Sequence, residues 1–275
     1  ADIDSRTGCI DPESVSKKIT NKTKAVICVN WAGIPCDLER LSKICTENNI
    51  KLIQDAAHGM GSMLNNQSIV KFADYTCFSF QAIKHITTGD GGAIVCRSKD
   101  DYNRCKKLKS TKDEKGEWKG QRWEVDVIEA GYKFHMNNIS AAIGLSQIDH
   151  FQRIINKHKE NAKNYYTRFK NNKNIRLLKI DENSEPSFWV YTMLLKENVN
   201  RDKVLESLNS QGINAGLVHI PNHNYTCFKN SYVDLPNTNY FHENQISLPC
   251  GWWLDEKDII EISECVSKTI ERFTG

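Results

Sequence analysis

Apolar and polar positions change rhythm several times along the chain. Lys24–Asn30 (KAVICVN) is a short β-branched run of the kind that fills a buried strand. Lys51–Asp55, Tyr75–Phe80 and Gly92–Cys96 read the same way. Between the first two, Asp37–Asn49 carries apolar residues at helical spacing behind an Asp suited to cap a helix. This alternation predicts βαβ units and a mostly parallel sheet. In such sheets, ligands gather at the carboxyl ends of the strands. Asn138–Lys170, free of proline, predicts one long connecting helix. Beyond it, Phe188–Leu195 predicts a strand, Arg201–Gln211 a helix stopped by Gly212, and Ile213–His219 a further strand. Asp255–Phe273 predicts a closing helix begun by an acidic turn. The expected class is α/β: a large, mostly parallel domain over residues 1–165 and a smaller α+β domain over residues 166–275.

Composition narrows the possibilities without naming a function. A chain of 275 residues with 39% hydrophobic and 26% charged residues can bury a real core. A net charge of +3 is too weak to point to nucleic acid or an anionic membrane as partner. The lysines at 106, 107, 109, 112, 115 and 119 read as a solvated face and loop. No apolar run approaches the roughly 18 residues needed to span a bilayer, and no leader opens the sequence. Ala1 means either a processed start or a sequence that does not begin at the natural one. The ten cysteines form no CxxC pair and several sit in apolar runs, so reduced thiols in a cytoplasmic setting are expected, with no metal site.

Three clusters carry possible chemistry. Asp55 ends a short apolar strand in QDAAHG, where a carboxylate either points into a ligand crevice or caps the next turn. Lys84 lies between an apolar strand and the glycine-rich TTGDGG turn. Such a lysine is either a surface residue or an amine made nucleophilic by its site. The third cluster, GYKFHMNN, opens a helix with small residues on one face; capping by Asn138 and close packing explain it equally well.

Taken together, these segments resemble the DegT/StrS family of sugar aminotransferases. The quoted segments are TKAVICVNWAGIPCDLERL, QDAAHGMGS, FADYTCFSFQAIKHITTGDGGAIV and GYKFHMNNISAAIGLSQID, in family order. The resemblance implies the type I aminotransferase fold and pyridoxal 5'-phosphate (PLP) as cofactor. It implies that Lys84 holds PLP as a Schiff base and serves as acid and base. Asp55 matches the partner of the pyridine nitrogen, His58 the cofactor contact beside it, and Ser79 a phosphate ligand. Lys133 stands where the family usually has an Asn that reaches the phosphate of a neighbouring subunit. Asn30 replaces a usual His and is assigned no catalytic role.

His219 and His223, in GLVHIPNHNYTCF, match the segment that reaches toward the sugar nucleotide; a structural role is the competing reading. Trp252 and Trp253 are expected in core packing rather than nucleotide stacking. Family members also carry a segment before the position of Ala1, whose helix N-terminus binds the cofactor's phosphate. The sequence therefore reads as a member without that part. The implied activity is amination of a nucleotide-linked keto sugar, with glutamate as donor, in a homodimer. The rivals are a non-catalytic binder of a partner or sugar nucleotide, and a sugar dehydratase, against which Lys84 argues because those relatives replace the lysine.

Overall fold

The computed structural model describes residues 1–109, 129–231 and 233–275. The lysines at 112, 115 and 119 lie outside the described residues. The first half comprises α1 (Pro12–Lys18), β1 (Ala25–Val29), α2 (Leu38–Glu47), β2 (Lys51–Asp55), β3 (Met63–Leu64), β4 (Gln67–Ser68), β5 (Tyr75–Ser79), β6 (Gly92–Cys96) and α3 (Lys99–Lys109). The second half comprises α4 (Asn138–Ile148), α5 (Phe151–Phe169), β7 (Ile175–Leu177), β8 (Ser184–Glu185), β9 (Val190–Leu195), α6 (Arg201–Ser210), α7 (Pro236–Asn244), β10 (Gln245–Pro249) and α8 (Glu256–Arg272).

One sheet runs β1-β2-β5-β6. Its first three strands are parallel, with Val29 beside Asp55 and Asp55 beside Cys77. The three chains therefore leave the sheet at one level. β6 is antiparallel and sets Gly92 opposite Ser79, which returns the glycine-rich turn to that same end. The sheet is thus mixed at its β6 edge. The cap on α2 is as the sequence predicts: the Asp37 carboxylate accepts the Arg40 N–H. Leu38, Leu41 and Cys45 of α2 pack with Val26, Cys28 and Leu52 in one core.

A second core surrounds the antiparallel sheet β10-β9-β7. α5 supplies Ala162, Tyr165 and Phe169 to it at helical spacing, and α8 supplies Ile259, Val266 and Ile270. α8 begins with a capping box in which Asp255 and Asp258 each accept the other's backbone N–H. Gly212, at φ +82°, ends α6 as expected.

Three expectations are corrected. The long helix is two helices, because the chain turns at Asp149–His150 between α4 and α5. Ile213–His219 is not a strand; only Gly216 bridges, to Ser247, and the segment otherwise follows the surface as a loop. Trp252 and Trp253 are not core residues, being 50% and 62% exposed. The Trp253 ring folds over Gly251, where a Cβ would sit 2.1 Å from it, so its outer face stays in solvent. All ten cysteines are free thiols, five of them buried. Among the described residues, no helix is long and apolar enough to cross a membrane.

Candidate active site

The carboxyl ends of β1, β2 and β5 are fixed by buried amides. Asn30 Nδ2 donates to Gln54 Oε1 at 3.1 Å, and Gln54 Nε2 donates to the Ile69 carbonyl at 2.7 Å. Asn30 Oδ1 accepts the Cys36 N–H, so this side chain is spent on holding the loop. One residue beyond Gln54, the half-buried Asp55 accepts the Ala57 N–H at 3.0 Å through one oxygen, and its charge is felt at Lys84 and His219. The capping bond of Asp55 is thus present, and it uses only one of the two carboxylate oxygens.

After β5, Ser79 Oγ accepts the Gln81 N–H at 3.3 Å and the Lys84 N–H closes a turn on the Gln81 carbonyl. The TTGDGG turn is pinned from α4. Gln147 donates to the Thr87 carbonyl at 2.7 Å and accepts the Thr87 N–H at 3.1 Å. Gly144 permits this approach, since a Cβ there would lie 2.8 Å from the Thr88 methyl. The small residues on α4 thus have a packing role, whereas the cap is Asn137, whose Oδ1 accepts the Ser140 N–H, and not Asn138 as expected.

Lys84 Nζ sits 3.7 Å from the centre of the Trp189 ring. Among the described residues it has no hydrogen-bond or ion-pair partner. Burial pushes its amine down to about 8, with the Asp55 charge pulling the other way. Trp189 is held by its indole N–H, which donates to the Ile83 carbonyl at 2.7 Å. His58 stacks on the Trp189 ring, 4.1 Å between centres and 17° from parallel. His58 is 3% exposed, and its Nδ1 has no hydrogen-bond partner among the described residues. Burial first, then the nearby Lys84, push this imidazole down to about 2, so it is neutral. The His219 ring lies 5.9 Å from His58 and nearly parallel to it. Burial and Lys84 lower its pKa as well.

The Trp189 ring arrives from β9's leading edge by a strained route. Phe188 has φ +49°, a conformation that costs a bulky residue about 1–3 kcal/mol. Neighbouring backbone holds it there: Ser187 N–H donates to Gly33 O and Trp189 N–H to Ala32 O. Ser187 Oγ donates to the His58 carbonyl at 2.9 Å.

The structure therefore brings Asp55, His58, Lys84 and His219 into one group, with Ser79 at the same end of the sheet. Lys133 lies exposed on the segment before α4, with no hydrogen-bond or ion-pair partner among the described residues. His223 lies farther along, its Nε2 3.0 Å from Asn239 Oδ1. His219 and His223 both line a cleft of about 450 Å³, with Ile27, Val29, Trp31 and Phe241. Trp189 was not a sequence candidate. It lies in a run that reads as a plain strand, and its indole bonds across 106 positions, beyond any local pattern.

Compared with known proteins, residues 1–267 match the DegT/DnrJ/EryC1/StrS aminotransferase family. This chain belongs to that family. It is 31% identical to the UDP-4-amino-4,6-dideoxy-N-acetyl-beta-L-altrosamine transaminase of Helicobacter pylori, over 97% of this chain and 71% of that one. Among solved structures, Helicobacter pylori PseC, an aminotransferase of pseudoaminic acid biosynthesis, superimposes with a TM-score of 0.92 at 31% identity. That match covers 99% of this chain and 73% of PseC. Streptococcus pneumoniae Spr1654, assigned as a sugar aminotransferase and solved in its PLP form, superimposes with a TM-score of 0.89 at 26% identity. It covers 100% of this chain and 75% of Spr1654. The family's fold of a PLP-dependent aminotransferase is thus the fold of this chain.

Proposed function

We propose that this chain is a PLP-dependent aminotransferase that converts a nucleotide-linked keto sugar into an amino sugar, with glutamate as the amino donor. The observation that carries the reading is the Lys84 amine: without a hydrogen-bond or ion-pair partner among the described residues, lowered to about 8, and set near the carboxyl ends of the parallel strands with Asp55 and His58. The residues fit PLP. An amine without a hydrogen-bond or ion-pair partner suits its aldehyde, and a carboxylate oxygen of Asp55 suits its ring nitrogen. The orphaned Nδ1 of His58 marks a polar atom that still lacks its partner. Ser79, a hydroxyl donor at the same end, is the proposed phosphate contact, and Lys133 a further one from a second subunit.

When bound, PLP supplies a ring that accepts an electron pair. The chain's own residues do the rest. Asp55 keeps the ring nitrogen protonated. Lys84 Nζ, which is uncharged in roughly a tenth of molecules one pH unit below its pKa, would hold the cofactor and, once released, would serve as the base and acid that moves a proton between donor or product carbon and the cofactor. His219 and His223 would hold the sugar nucleotide from the cleft they both line, His219 also lying beside His58.

The finer proposals rest on separate observations. The division near residue 165 is supported by the two separate cores, the second of which α5 enters with Ala162, Tyr165 and Phe169. A homodimer is supported by exposed apolar side chains on α4, where Ile139 is 77% and Leu145 67% exposed. A cytoplasmic setting is supported by the free thiols. The test supplies the purified protein with PLP, glutamate and a UDP-4-keto sugar. Formation of 2-oxoglutarate together with a sugar product of amine mass is the expected result. Neither product, across UDP-, GDP- and dTDP-linked ketones, contradicts the proposal.

A further inference from the structure

Behind the Lys84 group lie two histidines that the proposed reaction leaves unused. His85 follows Lys84 in the turn after β5, and His158 projects from the middle of α5. They are 3% and 2% exposed, and their ring centres are 4.6 Å apart. Each ring spends one nitrogen on a backbone carbonyl. His85 Nε2 lies 3.1 Å from the Ser187 oxygen, and His158 Nδ1 lies 2.8 Å from the Phe188 oxygen. A carbonyl only accepts, so both of these nitrogens carry the proton. The other nitrogens, His85 Nδ1 and His158 Nε2, are buried acceptors without a hydrogen-bond partner among the described residues. Burial disfavours the charged form of both rings; His158 and Lys84 add to this at His85, while the carbonyl bonds of Ser187 and Phe188 oppose it at His85 and His158.

The two carbonyls belong to consecutive residues, and the second is the left-handed Phe188. The next residue is Trp189, whose ring packs against Lys84 Nζ and His58. A strained turn is thus gripped from two sides by rings that come from different elements, a sheet-end turn and a helix. Aliphatic side chains could fill this space but could not donate. Lysine or arginine could donate but would bury a charge.

We propose that His85 and His158 are positioning residues for Lys84: as paired neutral donors they hold the Ser187 and Phe188 carbonyls, and so fix the Trp189 ring against the Lys84 amine. The clamp acts on the polypeptide alone; only its catalytic consequence rests on the aminotransferase reading.

The test follows the Trp189 indole N–H, whose bond to Ile83 lasts only while the ring stays in place. The full chain is labelled with nitrogen-15, and the Trp189 signal is assigned among the six indoles by its absence in Trp189→Phe. His85→Leu and His158→Leu remove the donors. His85→Gln and His158→Asn replace them, because the Gln amide reaches where Nε2 donates and the Asn amide where Nδ1 donates.

The expected result is hydrogen exchange at the Trp189 indole about tenfold or more faster in the leucine variants, with α8 and β9 amides unchanged. The amide variants are expected to stay within about threefold of the native chain. Unchanged exchange in the leucine variants overturns the proposal, and so does a parallel acceleration of the α8 and β9 amides, which would mark a general loss of stability. If the leucine variants do not fold, the amide variants decide. Retained Trp189 protection supports the clamp, and folded amide variants that lose it overturn the clamp.

In the PLP-loaded enzyme, a leucine variant is expected to lose about tenfold or more in kcat with KM within about twofold. A native chain without amination activity refutes the functional reading and leaves the indole exchange to judge the clamp.

Discussion

Replacing Gly33 with alanine tests how tightly the loop after β1 is bound to the Lys84 group. Gly33 has φ +93°, and a methyl group there would lie 2.6 Å from Ser187 Oγ, 2.8 Å from the Phe188 nitrogen and 2.9 Å from the His58 carbonyl oxygen. Two of these three atoms are backbone and cannot rotate aside. The positive φ alone costs an alanine about 1–2 kcal/mol. Forcing packed backbone apart adds about 1–3 kcal/mol. Gly33→Ala is therefore expected to destabilise the protein by about 2–5 kcal/mol. Gly212→Ala is the control. Gly212 has φ +82° with nothing within 4 Å of the added methyl, so it meets the backbone cost alone. Urea unfolding followed by far-ultraviolet circular dichroism separates the two variants. Equal losses for Gly33→Ala and Gly212→Ala would refute the claim that the loop is wedged against the Ser187–Trp189 turn.

Other outcomes follow from the same structure. His58 and His85 are held down to about 2 and about 3 in the fold, against 6.5 in an unfolded chain. The unfolded chain therefore takes up protons that the folded one refuses. Stability is complete above pH about 6.5 and falls below it by up to about 1.4 kcal/mol per pH unit for each such ring. Urea titrations between pH 7 and 4 would show this, and His85→Gln would lessen the slope; a flat profile would contradict the neutral-histidine assignment. Phe169→Ala empties a fully buried site in the second core and is expected to cost about 3–5 kcal/mol. A loss under about 1 kcal/mol in the same assay would contradict that packing.

Most of the framework was legible in the sequence because its signals are local. A β-branched run marked β1, short apolar runs marked β2, β5 and β6, and Asp37 and Asp255 announced helix starts. The residues read as candidates for the cofactor end, Asp55, His58 and Lys84, do converge, because parallel strands in register deliver their ends to one place. What stayed hidden depends on long-range placement. The break between α4 and α5 has no proline or glycine to announce it. Ser187 and Trp189 come to the group on either side of the left-handed Phe188, which no periodicity signals, and His158 meets them from α5 across 30 positions. Trp252 and Trp253 look like core by composition, yet Gly251 lets one ring fold back and leaves both exposed.

The central claim is that Lys84 is the residue that takes the cofactor. The direct measurement incubates the purified chain with PLP, reduces with borohydride, and locates the added mass by peptide mass spectrometry. The account predicts a single phosphopyridoxyl addition on Lys84, a visible absorbance band that reduction removes, and loss of both in Lys84→Ala. Modification scattered over surface lysines, or unchanged in Lys84→Ala, would contradict it.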